Sequence, residues 1–246
     1  MALSAEERER YARHILLKEI GGPGQQRLKA ATIAIVGAGG LGAPAALYLA
    51  AAGVGRLRLI DDDSVSLSNL QRQVLYRSDE VGASKVERAV EALRALNPHV
   101  EIDAHALKLH AGNASSLLAH ATLVLDGTDD FETRFAVNDA CHALGIPLIS
   151  GAVGRWDGQV ATFKGAPCYR CLVPETPPDV ETCAQVGVVG ALTGVIGSMM
   201  ALEAIKEVVE AGVSLAGRLV IYDSLKAETR TLKLPRDPAC PVCGHD

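Results

Sequence analysis

The sequence predicts an α/β fold in which a Rossmann-like, mostly parallel sheet is flanked by helices. Short runs rich in β-branched residues alternate with helical patterns, which is typical of parallel strands joined by crossover helices. A glycine-rich turn at residues 37–42 separates the first predicted strand from a helix. Two Cys-x-x-Cys pairs in the last third of the chain predict a four-cysteine zinc site beside an antiparallel C-terminal extension.

The elements of the first half follow from periodicity and from turn residues. An amphipathic helix over residues 4–19 is expected to end at the Gly-Gly-Pro-Gly segment 21–24, because glycine and proline interrupt helices. A later helix should stop before Asn97-Pro98 for the same reason. The predicted elements between these helices and residue 125 are strand 32–36, helix 42–52, strand 56–60, helix 84–96 and strand 122–125.

The second half continues the alternation and then departs from it. Residues 182–202 carry no charge and are long enough to be considered for membrane spanning. Gln185, Thr193 and Ser198 interrupt this segment, so we expect a helix in the core or at a subunit interface, and no membrane association. The predicted elements are helix 132–144, strand 147–150, a hairpin over 151–164, apolar helix 182–202 with an amphipathic continuation to 210, and strand 218–222.

Length, charge and the N-terminus limit the function classes. A chain of 246 residues fits a single domain, which we divide into a helical segment 1–30, a nucleotide-binding core 31–150 and a zinc-clasp part 151–246. The net charge of −5 and the lack of a Lys/Arg run argue against nucleic-acid binding. The first residues lack the basic start and the apolar run of a secretory signal, so we expect a cytoplasmic protein with reduced cysteines.

The glycine turn predicts a nucleotide site. Gly37, Gly39 and Gly42 match the G-x-G-x-x-G pattern between a strand and a helix, and Gly40 belongs to the same turn. Glycine lets the backbone approach a phosphate, and the helix N-terminus offers free N–H groups. Asp61, about 20 residues further on at a strand end, is placed to bind ribose hydroxyls. A dinucleotide or ATP is therefore expected, with a tight turn that binds nothing as the alternative.

The residues after Asp61 favour a triphosphate. Asn69, Arg72 and Lys85 could surround one, because cationic side chains bind phosphate oxygens and offset charge at phosphorus. Taken singly, Arg72 or Lys85 would be interpreted as a solvated surface charge. The Asp-Gly-Thr-Asp-Asp segment 126–130 ends another predicted strand. Its carboxylates could hold Mg²⁺ or cap the next helix.

The two cysteine pairs predict a structural metal site. Cys168 with Cys171, and Cys240 with Cys243, can complete the tetrahedral sulfur shell that zinc prefers. Redox dithiols and unliganded thiols are the alternatives. Zinc would tie the C-terminal tail to an earlier loop and stabilise the folded state. His245 would be a substitute ligand only if one cysteine were absent from the shell.

Two cysteines lie outside these pairs. Cys141 is expected to be a small core residue, because it lies on a predicted helix beside apolar residues. Cys183 lies between a proline-rich loop and a predicted helix N-terminus, where the helix dipole could lower the pKa of a thiol. A reactive thiol and a merely accessible one both remain open for Cys183.

The motifs together resemble those of the MoeB/ThiF family, prokaryotic relatives of ubiquitin-activating enzymes. GAGGLG, DDDSVSLSNLQRQ, Lys85 at a helix start, DGTDD, CYRC, ETC and CPVC occur in the family's order over essentially the whole chain. The resemblance implies one adenylation domain that uses ATP and Mg²⁺. Its expected substrate is the C-terminal glycine carboxylate of a ubiquitin-like sulfur-carrier protein ending in Gly-Gly, and pyrophosphate is released. Such a carboxylate is ionised at neutral pH and needs no general base.

The resemblance also implies roles for individual residues. Asp61 resembles the family's ribose ligand, and Asn69, Arg72 and Lys85 resemble its triphosphate contacts. Asp129 resembles the acid associated with magnesium. We therefore expect catalysis by positioning and charge compensation.

The N-terminal segment and Cys183 complete the resemblance. Arg8 and Arg13 match a segment in which the second arginine, here Arg13, reaches the ATP site of the neighbouring subunit, and this implies a homodimer. Cys183 aligns with a cysteine that forms a covalent link to the carrier in some members and seems dispensable in others. Two positions depart from the family: Asp130 replaces a common asparagine, and His14 replaces a common glutamine.

The carrier and the pathway are less sharply indicated. The residues of the motifs, especially SLSNLQRQ and GVIGS, favour the small subunit of molybdopterin synthase (MoaD type) as the carrier, and thus molybdenum cofactor biosynthesis. The thiamin-pathway carrier (ThiS type) and a carrier for tRNA thiolation are the alternatives. No sulfur-transfer domain follows the second cysteine pair, so we expect a separate sulfur donor protein. An NAD-dependent oxidoreductase and a non-catalytic nucleotide-binding scaffold are the alternatives of other classes.

Overall fold

The computed structural model describes residues 2–176 and 187–244. The strands in these residues are β1 (Thr32–Val36), β2 (Arg56–Ile60), β3 (Glu101–His105), β4 (Leu123–Asp126), β5 (Leu148–Gly154), β6 (Asp157–Phe163), β7 (Arg218–Asp223) and β8 (Glu228–Lys233). The helices are α1 (Ala5–Arg10), α2 (Ala12–Ile15), α3 (Gly21–Ala30), α4 (Gly42–Ala51), α5 (Lys85–Leu96), α6 (Ala114–Leu118), α7 (Phe131–Leu144), α8 (Tyr169–Leu172) and α9 (Gly190–Val209).

The strands form one sheet in the order β3-β2-β1-β4-β5-β6-β7-β8. Neighbouring strands from β3 to β5 pair in parallel, and those from β5 to β8 pair antiparallel. The predicted Rossmann-like α/β class with an antiparallel C-terminal extension is therefore confirmed. The chain order reverses where β1 lies between β2 and β4, and open α/β sheets bind ligands at the carboxyl ends of the strands beside such a reversal.

The N-terminal prediction of one helix over 4–19 and a break at 21–24 is wrong. The chain forms α1 and α2 instead, with Tyr11 between them turned into the core, where its hydroxyl accepts a hydrogen bond from Asn97 Nδ2 at 2.8 Å. The Gly-Gly-Pro-Gly segment forms the first turn of α3. Proline is tolerated there because the first N–H groups of a helix have no partner within it.

Other elements differ from the predictions at their ends. The predicted strand 147–150 and the first half of the predicted hairpin form one strand, β5, which pairs with β6. The first part of the predicted apolar helix lies outside the described residues, and Val188 and Val189 are extended, with Val188 bridging to Arg155. Helix α9 therefore begins at Gly190 and includes the predicted amphipathic continuation as far as Val209.

Apolar side chains cover both faces of the sheet. One cluster lies between the sheet and helices α3, α4, α5 and α9, and it includes Leu49, Leu93 and Ile196. A second cluster, which includes Leu118 and Val137, packs α6 and α7 on the opposite face. Burial of this apolar surface is the main favourable term in folding, and it holds the strand ends in fixed positions. Of the helices described, none combines the length and apolar character needed to cross a bilayer.

Candidate active site

A cleft of about 620 Å³ opens at the carboxyl ends of β1, β2 and β4. Its volume lies within the range of about 300–1,000 Å³ that is usual for small-molecule sites. The glycine turn, the loop after β2, the start of α5 and the turn after β4 form one part of the wall. The other part is formed by Ala152 and Gln159 of the β5–β6 hairpin and by Tyr169 and Val173. The cleft thus joins the predicted core to the zinc-clasp part of the chain.

The backbone geometry of the turn requires two of its glycines. Gly37 has a φ of +87°, and its N–H donates to Ile60 O at 2.9 Å. A Cβ at Gly42 would lie 1.8 Å from Gly37 O, so no other residue fits there. Gly39 and Gly40 line the cleft, and their N–H groups have no hydrogen-bond acceptor among the described residues. These free donors at the start of α4 form the kind of site that binds a phosphate.

Asp61 lies beside this turn. Its carboxylate accepts hydrogen bonds from Ala38 N at 2.7 Å and from Asp63 N at 2.8 Å. Burial raises the pKa of Asp61, while the charge of Lys85 and the two backbone donors lower it in part. A carboxylate has about four lone-pair sites, so Asp61 can still accept hydrogen bonds from ribose hydroxyls. Its position in the cleft wall is the one that the sequence predicts.

Lys85, at the start of α5, has the most buried side chain of the cations that line the cleft. Its side chain is 3% exposed, and its ammonium lies 2.7 Å from Asp63 Oδ2. Arg72 also lines the cleft, and its guanidinium donates to Ser68 O at 3.2 Å. Asn69 is half-buried in the same loop and does not line the cleft; its carbonyl accepts from Arg72 N at 3.0 Å. The structure therefore brings Arg72 and Lys85 to the cleft and places Asn69 behind Arg72.

The three carboxylates at the end of β4 and in the turn after it make different contacts. Asp126 is buried, and it accepts hydrogen bonds from Thr128 Oγ1 at 2.7 Å and Ser150 Oγ at 2.9 Å. Asp130 is the N-cap of α7 and accepts from Thr133 N at 3.1 Å. Although burial alone would raise the pKa of Asp130, the hydrogen bonds from Thr133 lower it. Asp129 is exposed at the cleft wall.

Arg134 is a residue of the site that sequence reasoning missed. It lies on the buried side of α7, 3.6 Å from Asp126 Oδ2, and it donates to Gly151 O at 2.9 Å and to the carbonyl of Thr128. One guanidinium thus ties the turn after β4 to β5. A lone arginine on a helix resembles a solvated charge in the sequence; the only signal was its place four residues after the helix N-cap, Asp130.

Carboxylates at two places in the cleft are candidates for binding Mg²⁺, which prefers oxygen ligands. Asp129 presents an exposed carboxylate at the cleft wall. Carboxylate oxygens of Asp61, Asp62 and Asp63 lie within 4.8 Å of one another. Asp61 and Asp63 already bind Ala38 N and Lys85, so Asp129 and Asp62 are the carboxylates that remain available.

Arg13, like Asn69, is not part of the cleft wall of this chain. Arg13 lies on α2, is exposed, and is absent from the cleft wall. Contact between Arg13 and a nucleotide would therefore require the cleft of another subunit. Cys183 lies outside the described residues, as does the substitute ligand His245.

The four paired cysteines come together beside the far end of the cleft. Cys168 Sγ lies 3.6 Å from Cys240 Sγ, and Cys171 Sγ lies 3.3 Å from Cys243 Sγ. Four sulfurs around zinc at about 2.3 Å would be about 3.8 Å apart, so the cluster fits a tetrahedral zinc site. Asp237 N donates to Cys171 Sγ at 3.4 Å. Cys141 is buried in the core, where burial raises the pKa of its thiol.

Comparisons with known proteins relate this architecture to one family. A model described as the ThiF family matches residues 11–242. The sulfur carrier protein adenylyltransferase of Thermus thermophilus is 47% identical over 255 aligned residues, which cover 100% of this chain and 94% of that protein. The SAMP-activating enzyme E1 of Haloferax volcanii is 44% identical over 248 aligned residues, covering 100% of this chain and 92% of that protein.

A longer relative and a solved structure extend the comparison. The probable adenylyltransferase/sulfurtransferase MoeZ of Mycobacterium tuberculosis is 45% identical over 98% of this chain and 63% of that protein. The crystal structure of E. coli MccB with MccA-N7isoASN aligns with a TM-score of 0.86 at 23% identity, over 98% of this chain and 75% of that one. At this identity the structural likeness supports the fold alone. The names of the sequence relatives favour an adenylyltransferase over an NAD-dependent oxidoreductase or a scaffold.

Proposed function

The chain belongs to the ThiF family and is an adenylyltransferase, and we propose that it adenylates the C-terminal glycine carboxylate of a ubiquitin-like sulfur-carrier protein. The relative from Thermus thermophilus, which matches over 94% of its length, carries the name sulfur carrier protein adenylyltransferase. The observation that carries the proposal is the composition of one cleft. It combines the free N–H groups of the glycine turn, the Asp61 carboxylate and the cations of Arg72 and Lys85.

The proposed reaction exchanges one bond at phosphorus for another. A carboxylate oxygen of the carrier attacks the α-phosphorus of ATP, and the bond from that phosphorus to the oxygen bridging the β-phosphate breaks. Pyrophosphate takes the electron pair and leaves. The carboxylate is already ionised near neutral pH, so no general base is needed. What the chain has to supply is position and charge compensation.

The cleft residues divide these tasks. The N–H groups of Gly39 and Gly40 hold phosphate oxygens at the start of α4, and Asp61 accepts hydrogen bonds from the ribose. Arg72 and Lys85 offset the negative charge that gathers on the leaving pyrophosphate. In the proposed assembly Asn69 supports Arg72 from behind.

Two metal ions have separate proposed roles. Asp129 would hold Mg²⁺, which supplies positive charge next to the phosphates. The four-cysteine cluster would hold a structural zinc ion that closes the loop between residue 168 and residue 243. Tyr169, between the first two cysteines, lines the cleft, so the same cluster fixes part of the cleft wall.

The carrier and the assembly complete the proposal. The carrier tail would enter along Ala152 and Gln159, where the cleft continues past the phosphate end. Arg13 of one subunit would act at the cleft of the other in a homodimer. A separate cytoplasmic protein would supply sulfur, and Cys183 would take part only if a covalent link to the carrier forms. We favour a MoaD-type carrier of molybdenum cofactor biosynthesis, with ThiS-type and tRNA-thiolation carriers as alternatives.

An ATP–pyrophosphate exchange assay with a panel of purified carriers ending in Gly-Gly tests the proposal. Exchange should depend on one carrier and should fail when its terminal glycine is removed. Arg72→Ala or Lys85→Ala should lower exchange about 100-fold, since removing one preorganised charge-stabilising contact typically costs this much. Arg56→Ala, which breaks an exposed ion pair with Glu101, serves as the control and should exchange normally. Near-normal exchange by Lys85→Ala would contradict the assigned role.

A further inference from the structure

The hydroxyl of Tyr76 reaches the glycine turn from the buried side. Tyr76 is 6% exposed, and its hydroxyl donates to Ala38 O at 2.7 Å. Burial, with the nearby Asp61 charge, raises the pKa of Tyr76 well above its usual range. The hydroxyl therefore keeps its proton at every pH at which the protein works, and it remains a donor.

This hydrogen bond determines which way the next N–H group points. Ala38 C=O and Gly39 N–H belong to the same planar trans peptide, so they point in opposite directions. The carbonyl is directed into the protein towards Tyr76. The N–H of Gly39 is consequently directed away from Tyr76, on the side of the turn where Gly39 lines the cleft.

The other anchors of the turn hold different peptides. Gly37 N donates to Ile60 O at 2.9 Å, and Ala38 N donates to Asp61 Oδ2 at 2.7 Å. Within the described part of the chain, the Tyr76 hydroxyl is the recorded partner of Ala38 O, and Gly39 N has none. Glycine accepts a wide range of backbone angles, so residue 39 does not fix the orientation by itself.

We propose that Tyr76 is a positioning residue that holds the Ala38–Gly39 peptide with its N–H towards the phosphates of the bound nucleotide. The inference rests on the proposed function, because it requires a nucleotide with phosphates in the cleft. If the peptide turned over, the carbonyl oxygen would face the phosphate oxygens and repel them. The hydroxyl of Tyr76 selects the productive orientation before the nucleotide arrives, which lowers the cost of binding.

Tyr76→Phe tests this role, because phenylalanine keeps the buried ring and removes the donor. Affinities for ATP and for adenosine are measured by calorimetry on the full chain with Mg²⁺. ATP affinity should fall about fivefold, the effect of one ordinary hydrogen bond on an equilibrium, and adenosine affinity should stay within about twofold. Tyr48→Phe, a change at an exposed tyrosine of α4, is the matched control and should alter neither.

The outcomes separate the two proposals. Unchanged ATP affinity, or an equal loss for ATP and adenosine, would overturn the positioning role, because a general structural defect does not distinguish the ligands. Wild-type protein that binds no ATP would reject the proposed function, and this inference with it. A second measurement needs no variant: the amide resonance of Gly39 in the wild type should shift with ATP and not with adenosine. ATP binding without that shift would also refute the role.

Discussion

Replacing Arg134 by methionine would remove the cation that ties the turn after β4 to β5. Methionine keeps the unbranched length of the side chain and much of its apolar packing. The side chains of Arg134 and Asp126 are 6% and 1% exposed, so the variant leaves a buried carboxylate without its cation. Ser150 and Thr128 still donate to that carboxylate, but both donors are neutral.

The expected loss follows from this burial. Removing one partner of a buried ion pair costs roughly 3–5 kcal/mol, whereas an exposed pair is worth about 1 kcal/mol or less. For a chain of this size about 1 kcal/mol shifts the melting temperature by roughly 2–4 °C. Arg134→Met should therefore melt about 6–20 °C below the wild type. Exchange activity should fall as well, because Arg134 holds the carbonyl of Thr128 next to Asp129.

Calorimetric melting of four variants checks this reasoning: Arg134→Met, Asp126→Asn, the double variant of both, and the control Arg56→Met. Arg56→Met breaks the exposed pair with Glu101 and should melt within about 4 °C of the wild type. In the double variant Asp126→Asn/Arg134→Met the loss should be smaller than the sum of the single losses, because no charge is left unpaired. An Arg134→Met protein that melts as the Arg56→Met control does would refute the idea that this pair holds the turn.

Two further outcomes follow from the site. Nucleotide affinity should fall as the pH falls through the pKa of Asp61, which burial raises, because a protonated carboxyl is a poorer acceptor for ribose hydroxyls. Lys85→Ala should move the midpoint of that titration to higher pH, since the Lys85 charge lowers this pKa; a midpoint that does not move contradicts the coupling. A strong chelator should release about one zinc ion per chain and lower the melting temperature, and Cys243→Ser should bind less zinc. Metal-free protein with unchanged melting would exclude a structural role.

The fold was predictable from sequence where one strong local pattern decided the element. β1 is a short apolar run, β2 alternates arginine with leucine, and Gly37 and Asp61 follow them directly; the predicted bounds of both strands agree with the structure. β3 and β8 were not predicted, because they lie at the two edges of the sheet. β3 buries chiefly Ile102, and every residue of β8 is exposed, so neither strand has an apolar pattern. Their position comes from pairing with β2 and β7, which is long-range information.

The site was predictable only for residues that belong to a motif. Asp61, Lys85 and Asp129 follow strands or begin a helix, and the sheet topology brings those strand ends to one edge. Arg134 and Tyr76 are buried residues that hydrogen-bond to the backbone of the site. Neither lies in a segment whose residue spacing matches a binding motif. The contacts of Arg134 with Gly151 O and of Tyr76 with Ala38 O depend on the packing of segments that are distant in the sequence, which local patterns do not encode.

The run Asp61-Asp62-Asp63 shows how packing divides one motif into separate roles. In the sequence the three carboxylates are equivalent neighbours of a strand end. In the structure Asp61 binds the glycine turn, whereas Asp63, 69% exposed, pairs with the buried ammonium of Lys85. A buried ammonium without a partner would cost several kcal/mol, and Asp63 is that partner in the chain without a nucleotide. A phosphate that binds Lys85 must then share the ammonium with Asp63 or replace that exposed carboxylate, and the exposure of Asp63 makes its release into water inexpensive.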